Sequence, residues 1–523
     1  MKTWRKYTVC ILVILLTAIY FGNCWGRTGR SGEPEIVLAA ARDLAPGNKD
    51  PYFSSIILKT WEPLIGISDA GEVQPKLAVS WQTDATCREW TFDLRKGVIF
   101  QDGTPFDADA VLANFIRYKN MGYRPSTFYG FMIERIYPYL QRVEKLDAYT
   151  VKLYFAKSVP MLIYRMAGWG SAMYSPHCFN EATGEWTGTA IGTGQFKIVE
   201  RKINEYVILE RFADYYGSKS KAQRIKIKVI PAPETRYSAL KSGEIQGVID
   251  LGGLPPILAE ELLKDEKFAA DSAKSTISHY LTLNGGRYPF SREEMRLALN
   301  LLVDREKIVQ HYFRNIGTPT MSFLNSTNPF AEIVPAYTDR KKAVALAKNV
   351  LHGKRAKIKF IIHQYGVARY PYKVIAEYLQ SEMRVLGLDA EIVIVDGMSQ
   401  KKVLAEGDFD ISIGTRGLGN LDPTSLLYDF FASGGSVNNM NGIKYCNPVV
   451  DECFKKLAHE NLIDERAKLY RRINNELIEH PALVPLMEDR NLAVYSKRLT
   501  GYKACVYGIT LDEVCWSKQE VNS

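Results

Sequence analysis

The first pattern along the chain is an almost uninterrupted apolar run, Val9–Phe21, behind a basic start of Lys2, Arg5 and Lys6. About 13 apolar residues are too few to span a bilayer and suit an export signal, so residues 1–24 read as a leader. No later stretch reaches about 20 apolar residues, so the rest is expected to be soluble. Downstream, hydrophobic positions fall into short alternating blocks. Glu33–Ala40 predicts a strand that begins the mature fold. Glu89–Leu94 predicts another, followed by an Asp102-Gly103 hairpin turn, a helix over Ala108–Lys119 and a strand over Val151–Phe155. Asp-Gly tolerates the positive φ of a tight turn, and Pro105, Asp107 and Asp109 suit the opening of a helix and its dipole.

The alternation continues. Tyr206–Glu210 and Arg224–Ile230 predict strands, Thr235–Gly243 a short helix ending in glycine, and Glu244–Asp250 a strand. From about 284 onward the pattern is repeated β-α: Lys357–His363, helix Val374–Leu386, Asp389–Val395, helix Met398–Glu406, Phe409–Thr415. A charged amphipathic helix over Asp464–Glu479 stops at Pro481, and two strands follow, Leu483–Met487 and Asn491–Val494. Such alternation favours mixed α/β lobes.

At 523 residues and 46% hydrophobic, the chain exceeds a single core. Net charge is +9, and removing the three leader cations leaves +6 for the mature part. Lys and Arg are scattered, without an arginine-rich arm, which argues against nucleic acid. A mildly basic surface suits an anionic membrane face or a negatively charged solute. Cys10 and Cys24 lie in the leader; Cys87, Cys178, Cys446, Cys453, Cys505 and Cys515 form an even set that export would allow to pair, in an order spacing does not decide.

Catalytic patterns are missing. The seven histidines (His177, His279, His311, His352, His363, His459, His480) include no i, i+4 pair and no His-Glu-x-x-His. Asp107 and Asp109, two apart in a first helical turn, point to different faces. Gly192-Thr-Gly194 is followed by a β-rich pattern, where a phosphate loop needs a helix. The chain is therefore expected not to be an enzyme and to carry no resident cofactor or protein-held metal.

The string Trp90-Thr-Phe-Asp-Leu-Arg-Lys-Gly-Val-Ile-Phe-Gln-Asp-Gly-Thr-Pro-Phe-Asp-Ala-Asp-Ala-Val resembles the signature of family 5 extracellular solute-binding proteins, the receptors that feed ABC importers. Further similar motifs follow in the family's order: Trp61-Glu-Pro-Leu-Ile, Gly192-Thr-Gly-Gln-Phe, Arg211-Phe-Ala-Asp-Tyr-Tyr-Gly217, the Ile230-Pro-x-Pro-x-Thr-Arg236 passage, and Leu281-Thr-Leu-Asn through Arg296-Leu-Ala-Leu-Asn300. The resemblance covers roughly 35 to 500. It implies a two-lobe α/β clamshell of the type II periplasmic-binding kind, with mixed sheets and an extra subdomain in the first lobe. The expected division is 1–24 leader, 33–80, 166–283 and 486–518 first lobe, 81–165 extra subdomain, and 284–485 second lobe. The implied role is a monomeric substrate-binding subunit that closes on a nickel chelate or a short peptide and delivers it to a membrane permease. A chemosensory receptor, or an oligopeptide-binding protein without metal, is the alternative. The leader ends Phe21-Gly-Asn-Cys24, similar to a lipobox, so the mature protein is expected in the periplasm or lipid-anchored through Cys24, with Asn23 departing from the usual small residue.

The same resemblance suggests the ligand. In peptide-binding relatives an aspartate before Asp-Pro pairs with the peptide amine; here that position is Gly419 in Thr415-Arg-Gly-Leu-Gly-Asn-Leu-Asp-Pro423. A buried ammonium without a carboxylate is costly, so a standard α-amine anchor is not expected. Arg416 stands where the family usually has tryptophan and offers a fork to a carboxylate or phosphate, or else an inter-lobe salt bridge. The overall string resembles the nickel-binding branch most, where metal arrives in a small carboxylate chelator gripped by arginines. One such arginine matches Arg124; the other position falls near Trp169, with Arg165 close by. Residues 432–441 hold no histidine, so direct nickel ligation by the protein is not expected. Nickel enters the expectation only as part of a bound chelate. Tyr52, Phe53, Trp169 and Tyr280 complete the candidate cleft residues, each equally suited to packing.

Overall fold

A computed structural model describes residues 34–44, 57–68, 70–122, 133–167, 171–249, 253–417 and 421–518. Two long antiparallel strands, Phe268–Leu283 and Leu483–Ser496, form its spine. On one side the sheet continues through Gly247–Val248, Ile36–Ala40, Arg224–Val229, Tyr206–Arg211 and Phe196–Lys202. On the other it continues through Ile411–Gly417, Ala356–His363 and Leu388–Val395. Parallel pairs occur in both wings: Ile36–Ala40 with Arg224–Val229, and Ala356–His363 with both of its neighbours. The result is a mixed sheet shared by two α/β halves.

Each half has its own core. Ile36, Leu38, Trp61, Leu209 and Ile225 anchor one, and Leu281, Leu299, Phe360, Ile375 and Leu388 the other. A separate four-stranded sheet, ordered Ala78–Thr83, Glu89–Leu94, Thr150–Phe155, Leu140–Asp147, packs its apolar face with the helix Ala108–Asn120 around Phe92, Phe100 and Phe115.

The helix after the Asp102-Gly103 turn begins at Ala108 as expected, capped by Asp107, which accepts the Ala110 N–H, while Pro105 lies before it and bridges back to Ile99. Proline has no N–H to give a ladder, so it sits at the end of that small loop. Leu483–Met487 and Asn491–Val494 are one continuous strand. The intervening Glu488-Asp-Arg490 reads as a loop by polarity, yet its charges have partners inside the fold: Ser326 hydroxyl and N–H on Glu488, His279 beside Asp489, and Ser272 on Arg490. Its partner strand likewise starts at Phe268, well before the Leu281 that the apolar pattern reveals. The strand expected over Glu244–Asp250 shrinks to Gly247–Val248.

The cysteines also resolve. All six outside the leader are free thiols, with Cys446 exposed and Cys87, Cys178, Cys453 and Cys505 buried. Burial pushes the Cys178 thiol up to about 11.

Candidate functional site

Where the spine passes from one half to the other, its register breaks. Lys274 pairs with Arg490 and Ser278 with Glu488, so residues 275–277 oppose Asp489 alone. Such a bulge bends a strand and re-aims its side chains. Asn325 holds the bulge in place, its Nδ2 donating to the Ile277 carbonyl at 3.1 Å. A second irregularity follows at once, where Leu486 of the partner strand is skipped between His279 and Tyr280, yet the side chains of this strand still alternate. His279 and Leu281 face the second-half core, whereas Ser278 and Tyr280 face the other way.

Ser278 lies opposite Arg416 in the antiparallel pair with Ile411–Gly417, which puts both side chains on the same face. There they line a small hollow of about 10 Å³, room for roughly one water, with Thr276, Phe323, Leu324, Asn325 and Leu426. The pocket lies at the carboxyl end of Ile411–Gly417, a strand parallel to Ala356–His363 on one side and antiparallel to the spine on the other. In open α/β sheets, crevices at strand carboxyl ends where the order switches are where ligands bind. Arg416 is exposed, and its guanidinium lies 5.7 Å from the Phe430 ring centroid. Among the described residues no carboxylate pairs with it. The site can therefore offer one fork-shaped cation and two hydroxyls above an aromatic floor, a donor set that suits an oxyanion.

Of the residues expected from sequence, Arg416 reaches this pocket. Tyr280 lies behind it: it is buried against Phe323 (5.8 Å) and Phe430 (5.9 Å), and burial, opposed by the charge of Arg416, pushes its hydroxyl up to about 12. Tyr52, Phe53, Arg124, Trp169, Gly419 and Cys24 lie outside the described residues. Thr276, Ser278 and Asn325 carry no sequence signal, because short polar residues in a polar stretch read as surface; they are buried here.

Arg165 takes an ion-pair role. Its Nη2 lies 2.6 Å from Asp422 Oδ2 and 3.3 Å from the Ser425 hydroxyl, and its Nη1 donates to the Arg135 carbonyl. Asp107 and Asp109 separate as expected: one caps its helix and the other pairs with Lys145 at 2.7 Å. Gly192 and Gly194 cradle backbone and no phosphate. A Cβ on either would come within 2.4 Å of the Thr60 or Lys59 carbonyl. Among the described residues no group of three or more His, Cys, Asp or Glu is placed to hold a metal ion, and no helix is long and apolar enough to cross a membrane.

Comparison with known proteins fits this architecture. The chain is 24% identical over 483 residues to the glutathione-binding protein GsiB of Salmonella paratyphi A, covering 90% of this chain and 91% of that one. Its fold superposes on NikA from Brucella suis, solved in complex with Fe(III)-EDTA, with a TM-score of 0.79 at 21% identity over 93% of this chain and 100% of the other. It also superposes on DppA from Helicobacter pylori in complex with the peptide STSA, with a TM-score of 0.72 at 20% identity over 93% and 98%. The model of the bacterial extracellular solute-binding proteins, family 5 Middle, matches residues 72–438. The two-lobe fold is that of the type II periplasmic binding proteins, and the chain belongs to family 5 of the bacterial extracellular solute-binding proteins, the solute-capturing components of ABC importers.

Proposed function

We propose that this chain captures a small solute bearing a carboxylate or similar oxyanion, either a metal chelate such as nickel held by a small organic acid or a short peptide gripped by its acidic end. The observation that carries this reading is Arg416, set opposite Ser278 over the pocket with no carboxylate beside it among the described residues. An exposed guanidinium with no carboxylate partner is free to fork onto an incoming carboxylate or phosphate. Metal enters as part of the cargo; the protein contributes arginine and hydroxyl contacts, and no cofactor resides in it. That similar proteins have been solved with Fe(III)-EDTA and with a peptide supports both solute classes.

The chain acts as a binder and not as a hydrolase. Among the described residues, the cluster of Ser175, His177 and Asp102 has the wrong order for catalysis. The serine hydroxyl donates straight to Asp102 at 2.6 Å, and His177 Nδ1 faces Thr104 at 3.1 Å. The carboxylate holds the serine directly, and the imidazole is turned to Thr104 instead of standing between them as a triad requires. The mature protein works as a monomer outside the inner membrane, released by signal cleavage or tethered through a lipid on Cys24, and hands its solute to a permease.

Native mass spectrometry of the protein purified from its host tests the solute. A co-purifying metal chelate or carboxylate compound is expected, and a ladder of neutral or basic peptides overturns the oxyanion reading. Deletion is expected to abolish uptake of that solute; intact uptake with a lost behavioural response would point to a sensor.

A further inference from the structure

We propose that the lysine-rich end of the second half, built from residues 340–359, is a docking surface for the anionic head groups of a phospholipid membrane. This face is distinct from the solute site.

Residues 340–359 hold eight lysines and arginines and no aspartate or glutamate. Against +6 for the mature part, that leaves −2 for everything else, so the basic character of the protein resides in one short stretch. The fold keeps the stretch together. The helix Arg340–Leu351 turns Ala343, Ala347 and Leu351 into the second-half core, and a short turn leads from it into the strand Ala356–His363. Lys341 and Lys348, seven positions apart, share the outward side of that helix. Three of the eight cations have carboxylate partners: Arg340 with Glu382, Arg355 with Asp389 and Lys359 with Asp408. The other five, Lys341, Lys342, Lys348, Lys354 and Lys357, are exposed and have none among the described residues. Even a paired carboxylate is outnumbered. The bond from Arg355 holds Asp389 below the usual carboxylate range, and the charges of Arg384 and Lys357 add to that.

Two features separate this patch from an ordinary solvated face. The first is its cost to the helix. Arg340, Lys341 and Lys342 fill a first turn that has no acid inside it, where the helix dipole disfavours cations. Asp339 caps that turn by accepting the Lys342 N–H, one anion against three cations. Residues that break a local rule in this way mark a site under another demand. The second is position. The patch lies at the amino ends of the parallel strands Ala356–His363 and Leu388–Val395, whereas Arg416 lies near the carboxyl end of their neighbour Ile411–Gly417. The two are roughly 25 Å apart along the strands, so the lysines do not serve the solute pocket.

The chemistry of the patch selects its partner. Lysine is depleted at the centres of protein–protein interfaces, which rely on aromatic and arginine anchors. Here Lys341 and Lys348 flank Val344 and Ala345, and the helix carries no aromatic residue. Strongly hydrated point charges spread over an open face suit a plane of phosphates, each cation adding to the attraction without a fitted socket. Such contact is reversible, and it turns the Arg416 end of this half away from the bilayer.

The test mixes the mature protein, free of lipid, with vesicles of phosphatidylcholine alone or of phosphatidylcholine and phosphatidylglycerol in equal parts, and reads co-sedimentation. Binding to the anionic vesicles at low salt is expected, weakening as salt rises, with none to the neutral vesicles. Lys341→Glu/Lys342→Glu is expected to lower that affinity at least about tenfold. The same change relieves the first helical turn, so the melting temperature is expected to stay level or rise, which a folding defect does not give. Lys354→Gln/Lys357→Gln, outside the helix, is expected to weaken binding too and decides the question should the acidic variant not fold. Arg416→Ala is expected to leave vesicle binding unchanged. Equal binding to both vesicle types, or anionic binding untouched by both lysine variants, overturns the proposal. So does a lack of binding at low salt, which would leave an acidic protein as the partner of the patch.

Discussion

His279 Nδ1 lies 2.7 Å from the Tyr372 hydroxyl while its Nε2 lies 3.5 Å from Asp489, at the point where the two long spine strands change register. The imidazole is fully enclosed by Phe313, Tyr370 and Tyr372 and so ties the crossover to the second-half core. His279→Ala leaves a cavity and takes the partner from a buried hydroxyl. A loss of about 2–4 kcal/mol of stability is expected, read from urea unfolding. Asp489→Asn, which keeps the shape, is expected to cost about 1 kcal/mol or less. Equal losses in the two variants would show that packing at His279 is not what matters.

Arg416→Ala is expected to weaken an anionic solute by roughly 10- to 100-fold, the worth of a charged hydrogen bond of about 1.5–3 kcal/mol. Arg416→Lys keeps the charge without the fork and is expected to fall between. Calorimetry with the solute identified from the native protein measures both, and unchanged affinity in the alanine variant removes Arg416 from the site.

Gly194 packs against backbone that has no room to yield. A Cβ there would sit 2.3 Å from the Lys59 carbonyl oxygen. Gly194→Ala is therefore expected to cost about 1–3 kcal/mol or more, seen as a lowered melting temperature. Gly188→Ala, where nothing lies within 4 Å, is the matched control and is expected to be near neutral.

The Asp84 carboxyl is raised by burial, but hydrogen bonds from the Thr86 hydroxyl and from the Glu89, Arg88 and Thr86 N–H groups outweigh that and hold it down to about 2. Its pKa is thus lower folded than unfolded, where about 3.9 is usual. The stability it contributes is fully present above about pH 4 and is lost as pH falls through about 2. After allowance for its part exposure this is about 1 kcal/mol. Asp84→Asn is expected to be less stable than wild type at pH 6, with the gap narrowing toward pH 2.5. A gap independent of pH would refute the assignment.

Thiol chemistry should follow exposure. In the native state Cys446 is expected to be alkylated first, while Cys178, buried and shifted up to about 11, stays unmodified until unfolding. Peptide mapping after brief iodoacetamide treatment reads this, and rapid labelling of Cys178 would contradict the packing around it.

What could be read from the sequence follows the range of the forces involved. The strands Ala356–His363 and Leu388–Val395 and the helices Tyr372–Met383 and Ile463–Glu479 were legible because their periodicity is local. The Asp102-Gly103 turn and the cap at Asp107 were legible for the same reason. The two spine strands were not, because their middles, Asp271–His279 and Glu488–Arg490, are polar and become strand only through partners about 160 to 220 residues away, such as Ser326 on Glu488 and Ser272 on Arg490.

The family and the architecture are legible from the chain alone, since they reside in ordered motifs and in local alternation. The chain also singled out Arg416 as an unusual cation before Asp-Pro. What surrounds that cation depends on contacts made by the folded molecule. A bulge opposite Asp489 turns Ser278 toward it, Asn325 arrives from a distant loop, and Tyr280 is packed beneath instead of facing the pocket. Folding also engages Arg165 with Asp422, a pairing between residues 257 positions apart that no spacing rule can anticipate. Long-range burial sets whether a charge meets solute, solvent or another charge, and burial exists only once the chain has folded.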